Sequence, residues 1–351
     1  MNYAPPRRSD GTQQQFRHKL PWPKDKPFRI LSIDGGGIKG VLPASILAEL
    51  ETRFLNGQSI ANYFDMIAGT STGGIIALAL SKGTTAHQAR DIYLERGRHI
   101  FPVHKGWKKI AQKLGWLFQI KHDQERLKNE LLRVFQDKRL DDAEVRLVIP
   151  AFEGTHGEPW IYKTPHHPDF TKDRTEKMAH VALHTAAAPT FYASVENDGY
   201  TMVDGGLWAN NPVMNALFDA LTCYDLDPHQ VRILSLGTGD TLLSTKGAKN
   251  GGLRKWISPA YLRGKLPLVF EVAVKAQSHN ANGQAGLLVG KPNFLRLDAA
   301  EGSNPIEIDD VERACTELPT VARHVVEGSG HRIQEMFLQE EAVGFVKNTA
   351  A

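Results

Sequence analysis

Gly69-Thr70-Ser71-Thr72-Gly73 sets a serine between two glycines, after the apolar run YFDMIAG and before the apolar run GGIIALAL. That order suits a strand, a tight turn and a helix. The glycines relieve crowding at such a turn and leave the Ser71 hydroxyl exposed at a helix start, where backbone N–H groups and the dipole favour negative charge. A hydroxyl becomes a useful nucleophile only with a base in hydrogen-bond reach. An ordinary serine in a glycine-rich turn remains the plain alternative. Asp204 ends the run YTMV and precedes Gly205-Gly206, so it sits where parallel α/β sheets build their sites, at the C-terminal end of a strand. The histidines His156, His166, His167, His180 and His184 follow no late strand, and packing or surface roles suit them better.

A third stretch, Asp34-Gly35-Gly36-Gly37-Ile38-Lys39-Gly40, follows the strand-like FRILSI. Gly35, Gly37 and Gly40 match the dinucleotide pattern G-x-G-x-x-G. A carboxylate directly before the loop is a poor neighbour for a pyrophosphate, and no acidic residue about twenty positions on sits clearly at a second strand end. The absence of G-K-[ST] excludes a phosphate-binding P-loop. An ester substrate fits better: Gly35, Gly36 and Gly37 can turn N–H groups toward a developing oxyanion, with Lys39 or the following helix start adding positive potential. Asp34 then orients the loop by accepting backbone hydrogen bonds.

Positioning these groups falls to regularly punctuated elements. FRILSI, YFDMIAG, VRLVIPAF, PWIYKT, YTMV and VRILSLG read as strands, and VLPASILAELETRF, GGIIALAL and MAHVALHTAAA as helices. The alternation predicts an α/β fold with a mostly parallel central sheet covered by helices on both faces. Residues 1–26 read as a flexible N-terminal arm and 27–346 as a single domain, with insertions near 104–135 and 241–265. With 41% apolar and 23% charged residues, the 351-residue chain can bury a sizeable core. Two cysteines argue against a disulfide framework and fit a reducing cytoplasm. No signal-peptide core or bilayer-length apolar run is present, so membrane contact is expected to be peripheral.

The three motifs, in that order and context, resemble the patatin-like phospholipases, and the resemblance runs from about Phe28 through LSLGTG at 234–239. It implies a patatin-like three-layer fold and an acyl hydrolase that acts on membrane phospholipids through a Ser-Asp dyad, with no catalytic histidine, metal or other catalytic cofactor. Carried over, Ser71 is the nucleophile, Asp204 the base, and Gly35, Gly36 and Gly37 the oxyanion loop. Lys39 stands where the family often has arginine, a point charge in place of a fork. A finer likeness, carried by WIYKTPHHPDF at 160–170 and HTAAAPTFY at 184–192, is to the bacterial cyclic-oligonucleotide-activated antiphage (CBASS) phospholipase effectors. The competing reading of Tyr162 to His167 is a strand end and turn kept for packing.

That likeness implies a cyclic di- or trinucleotide activator, homo-oligomer formation on activation, and action at the inner membrane from the cytoplasm. The net charge of +3 gives no reason to expect a nucleic-acid partner. Its distribution matters more: 104–133 holds eight Lys/Arg against three Asp/Glu, and 241–291 eight against one. In the second segment Arg254 and Lys255 could neutralise phosphates while Trp256 or Tyr261 stacks on a base; a solvated basic loop is the alternative. The first mixes Trp107, Trp116 and Phe118 with lysines, which suits a helix at an anionic bilayer, a helix packed on the core, or the nucleotide site itself. Two other functions compete: a soluble carboxylesterase without nucleotide control, and a catalytically silent nucleotide-sensing module.

Overall fold

The structure is a computed structural model in which residues 5–7, 17–100, 123–189, 191–239, 256, 268–299 and 306–347 are described. β1 (Phe28–Ile33) is buried along its whole length, as expected of a near-continuous apolar strand covered on both faces. It lies between β2 (Met66–Gly69) and β7 (Val231–Leu236), parallel to both. β3 (Arg146–Glu153) and β8 (Phe294–Leu297) extend this parallel core beyond β2 and β7.

The rest of the sheet is antiparallel. β4 (Glu158–Lys163) and β6 (Tyr200–Asp204) both pair with β3, and β5 (Val195–Asn197) pairs with β6. The mostly parallel expectation holds, with antiparallel pairing confined to one side of the sheet. Strand length explains the difference. β2 has four residues and β3 eight, so β3 outruns its parallel neighbour and offers unpaired backbone. β4 takes one edge of β3 over Val148–Glu153. The other edge carries β2 at Arg146–Val148 and β6 at Ala151–Glu153. Running in opposite directions along one edge, β2 and β6 meet end to end, which brings Ser71 to Asp204.

Helices cover both faces. Leu31 and Ile33 pack with α1 (Val41–Phe54), α2 (Thr72–Ser81), α3 (Ala86–Ile100), α4 (Gln124–Phe135), α5 (Met178–Thr185) and, late in the chain, a long helix at Val311–Phe337. Phe28 and Ile30 face the other way. After the one-turn α6 (Gly206–Ala209), that second face is closed by α7 (Val213–Cys223) and α8 (Leu268–Val289); Val311–Phe337 is α9. Alternation of side chains along β1 thus feeds two cores, giving three layers.

One segment differs from the sequence reading, and two others meet an alternative that it left open. Residues 17–26, assigned to a flexible arm, dock instead: Leu20 bridges to Tyr224, and the buried Trp22 ring lies 4.7 Å from Phe28 and 5.5 Å from Tyr224. An indole burying its area in this way offsets the cost of ordering the chain beside it. Within 104–135, residues 104–122 lie outside the described set. The remainder is α4, capped by the Asp123 carboxylate and buried through Leu127, Leu131 and Phe135. That part packs on the core.

The stretch 160–170 leads to the sheet end opposite Ser71, because Lys163 pairs with Val148 near the start of β3. Beyond it, His166 lies buried between Thr164 and Asp219, Lys163 binds Asp219, and Asp169 and Phe170 hold Arg17. The motif therefore docks the N-terminal segment onto α7. Among the described residues, no helix is long and apolar enough to cross a membrane.

Candidate functional site

The site begins where β2 turns into α2. Ser71 has φ 54° and ψ −120°, a conformation that a residue carrying a Cβ adopts only under external constraint. The constraint is visible on both sides. A Cβ on Gly69 would lie 2.1 Å from the Gly73 carbonyl oxygen, and one on Gly73 would lie 2.2 Å from the Ile33 oxygen. Glycine alone permits so sharp a turn against β1. The Ser71 N–H donates to Thr185 Oγ1 at 3.0 Å, and that hydroxyl donates to the Pro150 carbonyl at 2.5 Å. α5 and β3 thereby pin the elbow from behind. We expect Gly73→Ala to cost about 2–4 kcal/mol, as forced overpacking does, read as a lowered urea midpoint. An unchanged midpoint would show that the elbow can relax.

Across from the elbow, Ser71 Oγ donates to Asp204 Oδ2 at 2.7 Å. The other carboxylate oxygen, Oδ1, accepts the Gly206 N–H at 2.6 Å. Asp204 is buried, and removal from water pushes its pKa up to about 7, against the opposing pull of the Gly206 and Ser71 hydrogen bonds. Gly205 lets this strand end approach β3, since a Cβ there would meet the Pro150 oxygen at 2.3 Å. None of the hydrogen bonds described for His156, His166, His167 and His184 goes to Ser71 or Asp204.

The glycine loop closes the third side, with the Cβ position of Gly35 only 3.4 Å from Ser71 Cβ. One expectation needs correction. The Gly35 N–H is occupied by the Asn210 carbonyl at 3.0 Å, because the turn after Asp204 folds back against the loop. The amides of Gly36 and Gly37 have no such partner among the hydrogen bonds of the described residues. Gly37 stands at φ 59° against the Ile308 carbonyl. Lys39 closes the next turn through its own N–H, which donates to the Gly36 oxygen.

Asp34 is also held differently from expectation. Its carboxylate receives two hydrogen bonds from Arg296, at 3.0 and 2.8 Å, and one from Ser278 at 3.2 Å, where backbone N–H donors were expected. Burial works against the Arg296 charge, but Asp34 and Asp298 outweigh it and raise the guanidinium pKa further.

The sequence profile of the patatin-like phospholipase family matches residues 31–217, more than half the chain. The chain belongs to that family. Among relatives, a cGAMP-activated phospholipase of Pseudomonas aeruginosa is 34% identical over 291 residues, 81% of each chain. A protein of the same description from Escherichia coli is 34% identical over 312 residues, covering 82% of this chain and 85% of its own. Patatin-like protein 2 of Oryza sativa subsp. indica is 30% identical over 335 residues, 83% of this chain and 81% of its own.

The patatin-like sheet thus brings together Ser71, Asp204 and the Gly35–Gly37 loop. Arg254, Lys255 and Tyr261 lie outside the described residues, and Trp256 is placed by itself, half-buried. Thr185, Asn210, Thr238, Ser278, Arg296 and Asp298 carry the site and were missed from sequence. The Gly237-Thr238-Gly239 turn after β7 and Arg296-Leu297-Asp298 at the end of β8 were the available signals, polar residues at C-terminal strand ends.

Among the described residues, His166, Asp219 and Cys223 are the one set grouped closely enough to suggest metal ligands. Lys163 already binds Asp219, Arg17 approaches both Asp219 and Cys223, and burial pushes the Cys223 thiol up to about 12. A protonated thiol beside two cations suits a hydrogen-bond network better than an added cation.

Proposed function

We propose that the chain hydrolyses membrane phospholipid esters with Ser71 and Asp204 as a dyad, and that a cyclic nucleotide switches the reaction on. The observation that carries the chemistry is the 2.7 Å contact between Ser71 Oγ and Asp204 Oδ2 at a strained elbow beside the glycine loop. Asp204 Oδ2 takes the hydroxyl proton as Oγ attacks the acyl carbonyl. The Gly36 and Gly37 amides, still available, receive the oxygen that becomes negative. Collapse breaks the ester C–O bond, and the proton on Asp204 passes to the leaving alkoxide. Water then attacks the acyl-enzyme, Asp204 accepts its proton, and the Ser71 oxygen leaves with that proton restored. A carboxylate raised to about 7 is a stronger base than a surface aspartate, which suits this work near neutral pH.

Support for the switch comes from the relatives described as cGAMP-activated phospholipases. The basic segment 241–291, with Arg254, Lys255, Trp256 and Tyr261, is our proposed nucleotide site, and membrane-surface action with homo-oligomer formation belongs to the same reading. The test is fatty-acid release from phosphatidylglycerol and phosphatidylethanolamine vesicles, with particle mass measured alongside, with and without cGAMP. Release that rises at least tenfold with micromolar cGAMP is expected. Equal release without nucleotide, or cleavage of a soluble acyl ester alone, would leave an ungated esterase.

A further inference from the structure

We propose that Arg296 is a positioning residue for the oxyanion loop, acting through Asp34 and Asp298; this rests on the assignment of Ser71 and the loop made above. β8 lies two strands from β1 with β7 between them, so a side chain of β8 reaches Asp34 only by crossing the end of β7. Arg296 makes that crossing. One guanidinium nitrogen donates to Ser235 Oγ on β7 at 2.9 Å and to Asp34 Oδ1 at 3.0 Å. Another donates to Asp34 Oδ2 at 2.8 Å and to Asp298 Oδ2 at 2.6 Å. The second oxygen of Asp298 accepts the Gly239 N–H at 2.9 Å, which sets the turn after β7. From that turn the Thr238 hydroxyl donates to the Gly35 carbonyl at 2.9 Å.

The last bond determines where the loop can aim a proton. The Gly35 carbonyl and the Gly36 N–H belong to one peptide plane and point in opposite directions across a trans bond. Fixing the carbonyl on Thr238 therefore turns the Gly36 N–H away from Thr238, and rotation of this plane would cost the Thr238 bond. Arg296 holds both ends of the arrangement, Asp34 at the root of the loop and Asp298 under the Thr238 turn. The planar fork can serve two carboxylates and a hydroxyl at once; an ammonium group, with one nitrogen, cannot span them. Without the guanidinium, two carboxylates would share a half-buried space, and their repulsion would spread the strand ends on which the loop stands.

Arg296→Gln, assayed on phosphatidylglycerol vesicles with cGAMP present, is expected to lower kcat about 100-fold, the cost of losing one oxyanion donor, with KM within about threefold of wild type. Labelling of Ser71 by an alkyl fluorophosphonate should slow in parallel. Arg296→Lys should fall between, because it restores charge without the fork. The double variant Asp34→Asn/Arg296→Gln should be no slower than its slower parent, since both changes break one linkage. A folded Arg296→Gln with kcat within threefold of wild type, or a loss carried by KM, overturns the proposal. Should Arg296→Gln not fold, Arg296→Lys decides: lowered kcat at normal KM supports the role, and wild-type kcat overturns it. If neither variant folds, Arg296 is a fold element and the positioning role is wrong. Ser71→Ala in the same assay separates the two assignments. Activity surviving there removes the dyad reading, whereas an inactive Ser71→Ala beside an active Arg296→Gln removes this proposal alone.

Discussion

Ser71→Ala is expected to lower phospholipid hydrolysis by about 10⁵–10⁶-fold while leaving the far-UV circular dichroism spectrum unchanged. Alanine keeps the Cβ that the elbow already accommodates at φ 54°, so the backbone meets no new contact. What disappears is the Oγ that bonds Asp204 at 2.7 Å. Adding Asp204→Asn to Ser71→Ala should cost little more, because nucleophile and base work as a unit. Turnover above about one part in a thousand, in protein shown by mass to carry alanine, would assign the reaction to another nucleophile.

Asp204→Asn is expected to abolish hydrolysis and to stabilise the protein in alkaline buffer. Burial lifts the Asp204 pKa from the ordinary 3.8 to about 7, so the folded state holds this proton more tightly than the unfolded chain does. The resulting stability is fully present below about pH 4 and is lost as pH rises through about 7. Asparagine does not titrate there. Its advantage over wild type should therefore grow from pH 4 to pH 8 and reach a few kcal/mol at most, read from thermal midpoints across that range. In the wild type, kcat should climb through the same interval as the base ionises. A midpoint difference flat with pH would show that Asp204 stays charged throughout.

Much of the centre was legible because its parts are local. The strand before Gly69 and the helix after Gly73 are uninterrupted apolar runs, and glycines at fixed offsets from Ser71 mark the turn between them. Asp204 was legible for the same reason. The antiparallel side was also written locally: Asp198 and Gly199 take φ 49° and 86° between β5 and β6, the two-residue hairpin turn that Asp-Gly favours. The regular alternation of strands and helices around it outweighs that signal. By contrast, occupation of the Gly35 amide depends on a carbonyl 175 positions later, and the Asp34 partner stands 262 positions away. No periodicity or spacing encodes such a meeting. It follows from the β7–β8 pairing, and β8 is a four-residue strand with little pattern of its own.

That remoteness has a consequence for how the enzyme is made. β1 emerges early in synthesis, yet its neighbour β7 lies about two hundred residues later, and the guanidinium beneath its terminal carboxylate comes later still. Ser71 and Asp204 both leave the ribosome before Arg296. At about 5–20 residues per second, some ninety residues separate Asp204 from Arg296, an interval of roughly 5–20 s. Throughout it the nascent chain carries Ser71 and Asp204 while the glycine loop lacks its far support. On the positioning role proposed for Arg296, the site is complete only once β8 has joined the sheet, so the order of the strands sets when it can reach full activity.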